Sequence, residues 1–425
     1  MNWYLPDKIG RIRTVQLACL INIPAAVLQT AAVNFPMFVT GRVLGGVAAG
    51  MVIAVCPVYA SEIAPPHLRG RVAMIYALNI SLGYMITEWI GLGLFFVKGN
   101  ASWRILFGLQ LVPTAIMLIP SFWMPFSPRW LIMKDRQDEA RIVLEKLHSH
   151  MKDDETFHQR EFNQIQAQIH LDNEEGRGFK DLFLTPSYRK RVFLVVFACV
   201  SGQMTGIIPL QNYQVFIYQI CGFGGLMSLI LTAVWGTTTC LAVLFMSPWI
   251  DRIGRRKSVF LAYGFIIPGS LIIIVTWARF DASDRTNLGV AKAIIFGMFF
   301  MLWGYAGILN TFVPCYSSEI MPTCVRAAGV ACGYAAFNII VILLVQVTPL
   351  ALENVSWRYF LAFLIWDFIA VVVYYFFYPE TKNATLEEIE AIFGDRVAVS
   401  LDDACSSHSA VHEKVNVEQV EKTLA

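Results

Sequence analysis

The stretch DRIGRRK at residues 251–257 decides the reading, because a near twin, DKIGRIR, stands at residues 7–13. A long, largely apolar run (192–250) precedes the later copy, whereas the earlier one follows directly on residues 1–6. Two more pairs recur in the same order. YASEIAPPHLRG (59–70) is answered by YSSEIMPTCVRA (316–327), and PFSPRWL (125–131) falls where the second half has PETKNATLEE (379–388). Members of each pair lie about 250 residues apart, a spacing too regular for chance composition. Parallel repeats of this kind build two membrane halves around an axis along the membrane normal, with a solute site between them.

The composition agrees with a membrane setting. Charged residues make up 15% of the chain and hydrophobic ones 56%, where soluble domains carry about 25% charged residues. Apolar runs reach the roughly 20 residues that a helical span needs. The expected fold class is therefore an all-α polytopic membrane protein with ten spans: 14–34, 37–58, 72–96, 104–124, 192–218, 225–248, 258–278, 292–315, 328–350 and 358–378. The net charge of +2 points to no nucleic-acid partner. The nine cysteines lie singly, without CxxC spacing, and read as small packing residues. His148 and His150, two apart on a predicted helix, diverge and make a poor metal pair. No HExxH, GxSxG or phosphate-binding loop is present, so no enzymatic activity, cofactor or metal is expected. The first apolar run continues as a span, unlike a cleavable signal peptide.

Four parts follow: a four-span bundle over 1–126, a cytoplasmic helical loop over 127–190, a six-span bundle over 191–393, and a disordered cytoplasmic tail over 394–425. Within the loop, DRQDEARIVLEKLHSH (135–150) predicts a surface helix with an Asp cap and with Ile142, Val143 and Leu147 on one face. Placing DKIGRIR in the cytoplasm puts most of the 33 basic residues inside, which orients both termini toward the cytoplasm. The sequons at Asn100 and Asn354 then fall in external loops close to the bilayer. Two spans precede the motif in the second half and have no counterpart in the first. The repeat thus implies a twelve-span design, and the ten-span chain is expected to be inactive without the other two.

Taken together, these motifs resemble the sugar porter family of the major facilitator superfamily, particularly its fungal members, from Tyr4 to about Phe393. The family patterns D-R-x-G-R-R, G-R-x-x-x-G, P-E-S-P-R and P-E-T-K-G correspond here to four groups of residues. These are Asp7/Gly10/Arg11/Arg13 with Asp251/Gly254/Arg255/Arg256, then Gly41/Arg42/Gly46, Ser127/Pro128/Arg129, and Pro379/Glu380/Thr381/Lys382. The resemblance implies two six-helix bundles related by pseudo-twofold symmetry, here with the N-terminal bundle reduced to four helices. Gly10 and Gly254 allow tight turns at positive φ, and an Asp beside a helix start is stabilised by the helix dipole. The arginines can pair with Glu62, Glu319 or Glu380, and such pairs bias a gate when made in one state and broken in the other. Arg69, Arg129 and Arg326 complete the expected gating network. Phe126 stands where the family has a glutamate, which leaves one pair of the N-terminal half without its acid.

Arg42 lies inside a span, where charge is normally paired or faces a cavity. In proton-coupled members the matching Arg faces an acid in the first span. Glu88 and Asp367 are the carboxylates well inside spans and the candidate proton sites, and Glu88 is expected to substitute in part as the partner of Arg42.

The segment SGQMTGIIPLQNYQVFIY (201–218) takes the place of the family's sugar-binding helix, Q-Q-x-S-G-x-N-x-x-x-Y-Y. Gly206 and Pro209 should interrupt it, as expected near a transporter's central site. Gln203 and Tyr213 match that pattern, and amides suit neutral polyols because each offers two donors and an acceptor. Gly202, Ile208, Asn212, Ala77, Pro314 and Phe337 depart from the family pattern. A hexose site of the usual kind is therefore not intact. The expected solute-binding set is Gln203, Tyr213, Gln211, Asn212 and Asn338, with Asn310 a further polar neighbour.

The resulting expectation is a plasma-membrane transporter of a sugar, polyol or quinate-like solute by alternating access, with proton symport and facilitated diffusion both left open. The competing expectations are a solute sensor that signals through its tail, and an inactive truncated gene product.

Overall fold

A computed structural model describes residues 5–63, 69–148, 162, 166, 181–283, 285–322, 325–382 and 393. The expected tail over 394–425 lies outside them. The N-terminal half holds α1 (Leu5–Ile9), α2 (Arg11–Thr30), α3 (Phe35–Ile63), α4 (Arg69–Leu94), and α5 (Ala101–Gly108) followed by α6 (Leu111–Ser121). A short connecting region carries α7 (Pro128–Met133), α8 (Gln137–His148) and α9 (Asp181–Leu184). The C-terminal half opens with a broken run, α10 (Pro186–Gln203), α11 (Ile207–Asn212) and α12 (Gln214–Ile220). It continues through α13 (Gly225–Ile253), α14 (Arg255–Ala282) and α15 (Leu288–Gly304). A π-helical turn (Tyr305–Leu309) then leads into α16 (Asn310–Ile320), α17 (Arg326–Asn354) and α18 (Tyr359–Phe377).

Eight helical stretches among the described residues are long and apolar enough to cross a bilayer. The other two expected spans correspond to α4, a helix of 26 residues, and to the broken run α10–α12. Without water to satisfy exposed amides, a spanning segment must close its backbone hydrogen bonds internally, and a break is tolerated only against other protein or a cavity. The break in α10–α12 meets that condition. Gly206 adopts φ +83°, and a Cβ there would stand 3.1 Å from the Phe363 ring. The interruption expected at Gly206 is thus real, and the chain turns there because α18 packs directly on it.

Small residues bring helices close where lipid gives no hydrophobic drive. Gly41 and Gly45 of α3 face Gln29 of α2, and a Cβ at Gly41 would stand 2.8 Å from the Gln29 side chain. Gln29 donates its amide to the Gly41 carbonyl at 3.1 Å. Gly304 and Gly307, flanking and within the π turn, press on the backbones of α14 and α13 at Ala262 and Ala242. Most of the buried core lies in the C-terminal half, around Trp235, Tyr263, Trp277, Phe280 and Phe312. A separate cluster joins Trp130, Leu131 and Ile132 to Ala140, Leu144 and Phe162.

That cluster corrects two expectations for α8. Its buried stripe runs through Ala140, Val143 and Leu144, spaced three and four apart, whereas Ile142 is half exposed to solvent. Asp135 is not the cap. It takes φ +59° in the turn that ends α7, and the helix starts after it.

Both glycines of the repeated motif begin a helix with nearly the same backbone, Gly10 at φ 97°, ψ 154° and Gly254 at φ 105°, ψ 158°. A Gly254→Ala substitution forces a side chain into this region and to 2.6 Å from Glu380 Oε2. It should destabilise the protein by about 1–3 kcal/mol. Gly264→Ala, in a helix with open space around it, should be neutral or stabilising by roughly 0.5–1 kcal/mol. Thermal unfolding of the detergent-solubilised variants checks both.

Candidate functional site

The repeated motifs assemble into two matching clusters at one end of the molecule. Arg11, almost fully buried, pairs with Glu62 at 3.0 Å and with Asp7 at 3.0 Å. Arg255 pairs with Glu319 at 2.8 Å. The match extends to uncharged contacts. Tyr59 donates to the Pro125 carbonyl at 2.7 Å, and Tyr316 donates to the Pro379 carbonyl at 3.2 Å. Thr14 and Ser258 each donate back to the glycine carbonyl four residues earlier. In both halves the arginine of the tight turn therefore ties the end of one long helix to the SEI end of another. Thr381 adds a hydrogen bond to Glu319 at 2.7 Å.

The halves differ at the residue that covers the glycine. In the C-terminal half the Glu380 carboxylate accepts from the backbone N–H groups of Arg255 at 2.7 Å and Arg256 at 3.1 Å. It caps the start of α14, where the helix dipole favours negative charge. In the N-terminal half the corresponding acid is Phe126, and aromatic rings occupy the space. Trp130 packs on Gly10 and donates its indole N–H to the Asp7 carbonyl at 3.1 Å. Phe126 stacks on Trp130 with ring centroids 5.3 Å apart, and Arg13 lies over Phe126 at 5.4 Å. The acid absent from the sequence is thus replaced by a cation–π platform. Arg256 lies over the Tyr375 ring and donates to its carbonyl, while Arg326 donates to the Met321 carbonyl. Arg129 starts α7. The side chains of Arg69 and Asp251 lie outside the description.

A second polar group lies mid-bundle. Gln203, at the end of α10, is 3% exposed and donates to the Tyr305 hydroxyl at 3.4 Å. Its carbonyl oxygen has no partner. Tyr305 starts the π turn and neighbours Tyr84 of α4 across the halves. Tyr84 leads one helical turn on to Glu88, whose own neighbours include Gln214 and Tyr218 of α12. The Gln214 carbonyl oxygen, the Tyr218 hydroxyl and Glu88 Oε2 are all buried without hydrogen-bond partners. Buried polar atoms are normally satisfied, so a cluster of open ones is a place where a polar ligand or water would complete the bonding.

Four other expected solute ligands are placed differently. The Tyr213 hydroxyl donates to the Val345 carbonyl at 2.8 Å and ties α11 to α17. Asn212 and Asn338 donate to carbonyls four residues earlier in their own helices, at Ile208 and Tyr334. Gln211 is half-buried. Arg42 is exposed, and no ion pair joins it to Glu88. The expected Arg42–Glu88 pairing is overturned, because Glu88 turns to the C-terminal half and lies against Gly236 of α13. Asp367 is fully buried within the C-terminal half, both carboxylate oxygens without partners.

A family model described as "Sugar (and other) transporter" matches residues 1–393. The chain belongs to this sugar transporter family. Among curated relatives, a high-affinity glucose transporter of Kluyveromyces lactis is 28% identical over 413 residues, covering 92% of this chain and 74% of the relative. Myo-inositol transporter 2 of Schizosaccharomyces pombe is 30% identical over 402 residues, covering 92% and 70%. Among solved structures, the proton:xylose symporter XylE bound to 6-bromo-6-deoxy-D-glucose has a TM-score of 0.77 at 19% identity, covering 92% of this chain and 85% of that one. The major facilitator fold is therefore present in this family member, and it is an integral membrane protein.

Sequence reasoning missed Tyr305, Tyr84, Gln214 and Tyr218. Tyrosines at helical spacing in apolar spans carry no face signal. Gln214, directly after the expected Tyr213, and Tyr218, the last residue, lay within the segment singled out at 201–218. In this transporter the motif arginines should couple to their glutamates. A double-mutant cycle with Arg255→Leu and Glu319→Leu, read by denaturation in detergent, should give an interaction energy of about 1–3 kcal/mol.

Proposed function

We propose that the protein carries a sugar or related polyhydroxylated solute across a membrane by alternating access of its two halves. The observation that carries this reading is the mid-bundle cluster of Gln203, Tyr305, Gln214 and Tyr218, with three of its buried polar oxygens lacking partners. Amide and phenol groups donate and accept at once, which suits a ligand that presents hydroxyls rather than charge. Hydrogen bonds left open inside a bundle cost free energy unless a ligand or water completes them. The paired motif clusters keep each half together as it moves: Arg11–Glu62 ties helix ends within the N-terminal half and Arg255–Glu319 within the C-terminal half.

The glucose, myo-inositol and xylose transporters among its relatives support a neutral solute of six or so carbons. In this reading ten segments cross a plasma membrane with both termini cytoplasmic, α4 and α10–α12 completing the eight apolar ones. Domain limits at 126, 190 and 393 separate the two bundles from the cytoplasmic connection and tail. Gln211, Asn212, Asn338 and Asn310 would then engage the solute only in another state, after leaving their present positions. Quinate is the outlying member of the candidate solutes.

Uptake tests this directly. Contrary to the inactivity expected from its span count, the chain expressed in a transporter-deficient host should accumulate at least one radiolabelled solute from a panel of glucose, xylose, myo-inositol and quinate. Gln203→Leu should raise KM for that solute by roughly tenfold, equivalent to one lost hydrogen bond of about 1.4 kcal/mol, with membrane abundance unchanged. Uptake of none of the four by a correctly inserted chain would remove the reading.

A further inference from the structure

Glu88 is the one span carboxylate that reaches from one half of the molecule to the other among the described residues. It sits on α4, and a Cβ at Gly236 of α13 would stand 3.0 Å from its Cδ and closer still to Oε2. The contact exists only because residue 236 is a glycine. One residue on, the Trp89 indole donates to Thr237 Oγ1 at 2.9 Å. The α4–α13 seam is therefore closed at this level by two adjacent residues.

The groups facing Glu88 are polar but none is cationic. From α12 come Gln214 and Tyr218, and from α4 itself Tyr84. Helix α13 brings Gly236 and Thr237, its charged residues, Asp251 and Arg252, standing at its far end. Of the other helices against α4, α3 carries Arg42, which is exposed, and Glu62, which holds Arg11. Arg104 on α5 donates to the Ala32 carbonyl and lies over Trp103. Glu319 on α16 holds Arg255. Among the described residues no ion pair reaches Glu88, and its Oε2 is buried without a hydrogen-bond partner. Gln214 and the Gly236 backbone are its hydrogen-bonding neighbours, and with no cation to balance it a buried carboxylate charge is costly in such surroundings.

We propose that Glu88 is a proton-binding site at the seam between the halves, neutral while α4 and α13 are packed and ionised when they part. Proton binding is thereby tied to the motion itself, deepening the transport reading on which this inference rests. Asp367 lacks that link. It is buried wholly within the C-terminal half, beside Tyr263 of α14, and rigid rocking leaves its surroundings unchanged. The sign follows from linkage. The packed seam holds one proton more than the parted seam, so raising pH favours parting, by at most about tenfold in the ratio per pH unit.

The test measures seam distance in the full chain, purified in lipid nanodiscs without solute. Phe96 and Met227, both exposed, are replaced by a keto-bearing amino acid and spin-labelled, which leaves the native cysteines unlabelled. The longer-distance population should grow as pH rises. Glu88→Gln should lose that growth, Glu88→Asp should keep it with a shifted midpoint, and Asp367→Asn should leave it intact. A distance indifferent to pH, or an equal response in Glu88→Gln, would overturn the proposal. Should Glu88→Gln fail to fold, an unshifted midpoint in Glu88→Asp would overturn it as well. A pH-responsive seam in a chain that moves no solute would sink the transport reading alone.

Discussion

A helix leaves its first backbone N–H groups without intrahelical partners, and at Gly254 this protein meets that need with a carboxylate from elsewhere in the chain. Glu380 reaches the amides of Arg255 and Arg256 because residue 254 has no side chain to block it. The same positive φ that demands glycine also aims Arg255 at Glu319. Three separate helix ends, those of α14, α16 and α18, are gathered by one backbone turn. Around Gly10 the same turn gathers the ends of α2 and α3. The rest of the architecture at this end of the molecule depends on these two turns keeping their shape.

The membrane interior follows a different rule. There, polar groups are few, and their placement says more than their number. Tyr213, Asn212 and Asn338 complete hydrogen bonds to backbone, Tyr213 across to α17 and the two asparagines within their own helices. Gln203, Gln214, Tyr218 and Glu88 each keep an atom open. The division separates groups that stabilise the resting structure from groups that can exchange partners during a cycle. A rigid α-helical run through 288–320 would not present Tyr305 to Gln203 as it stands. The wider π turn shifts the face by part of a residue, and Gly304 and Gly307 let it lie flat against α13 and α14.

Much of this was legible from residues alone where a motif carries backbone geometry. DxxGR at two places forecast positive-φ turns at Gly10 and Gly254, and SEI forecast the glutamates that meet the arginines. Pro209 and Gly206 forecast the broken helix. The directions of single polar side chains in apolar spans were not legible. Helices such as α3, α4 and α17 are apolar all round, so no polar face fixes their rotation. Glu88 was for that reason assigned to Arg42, when a glycine on α13 had opened a space on the opposite side. Tyr305 stayed hidden because a π turn displaces the helical period on which facing arguments rest.

Replacing an acid by Phe126 gives the two turns different physical characters. Glu380 holds its half through charge, and charges near the aqueous boundary are screened within about 8 Å at physiological ionic strength. Arg13 over Phe126, and Phe126 over Trp130, act at ring contact and largely through apolar overlap, which added salt scarcely weakens. When ionic strength rises, the carboxylate contact at Gly254 therefore weakens while the ring contact at Gly10 stays, and the arginine–glutamate pair that each turn also carries is screened in both alike.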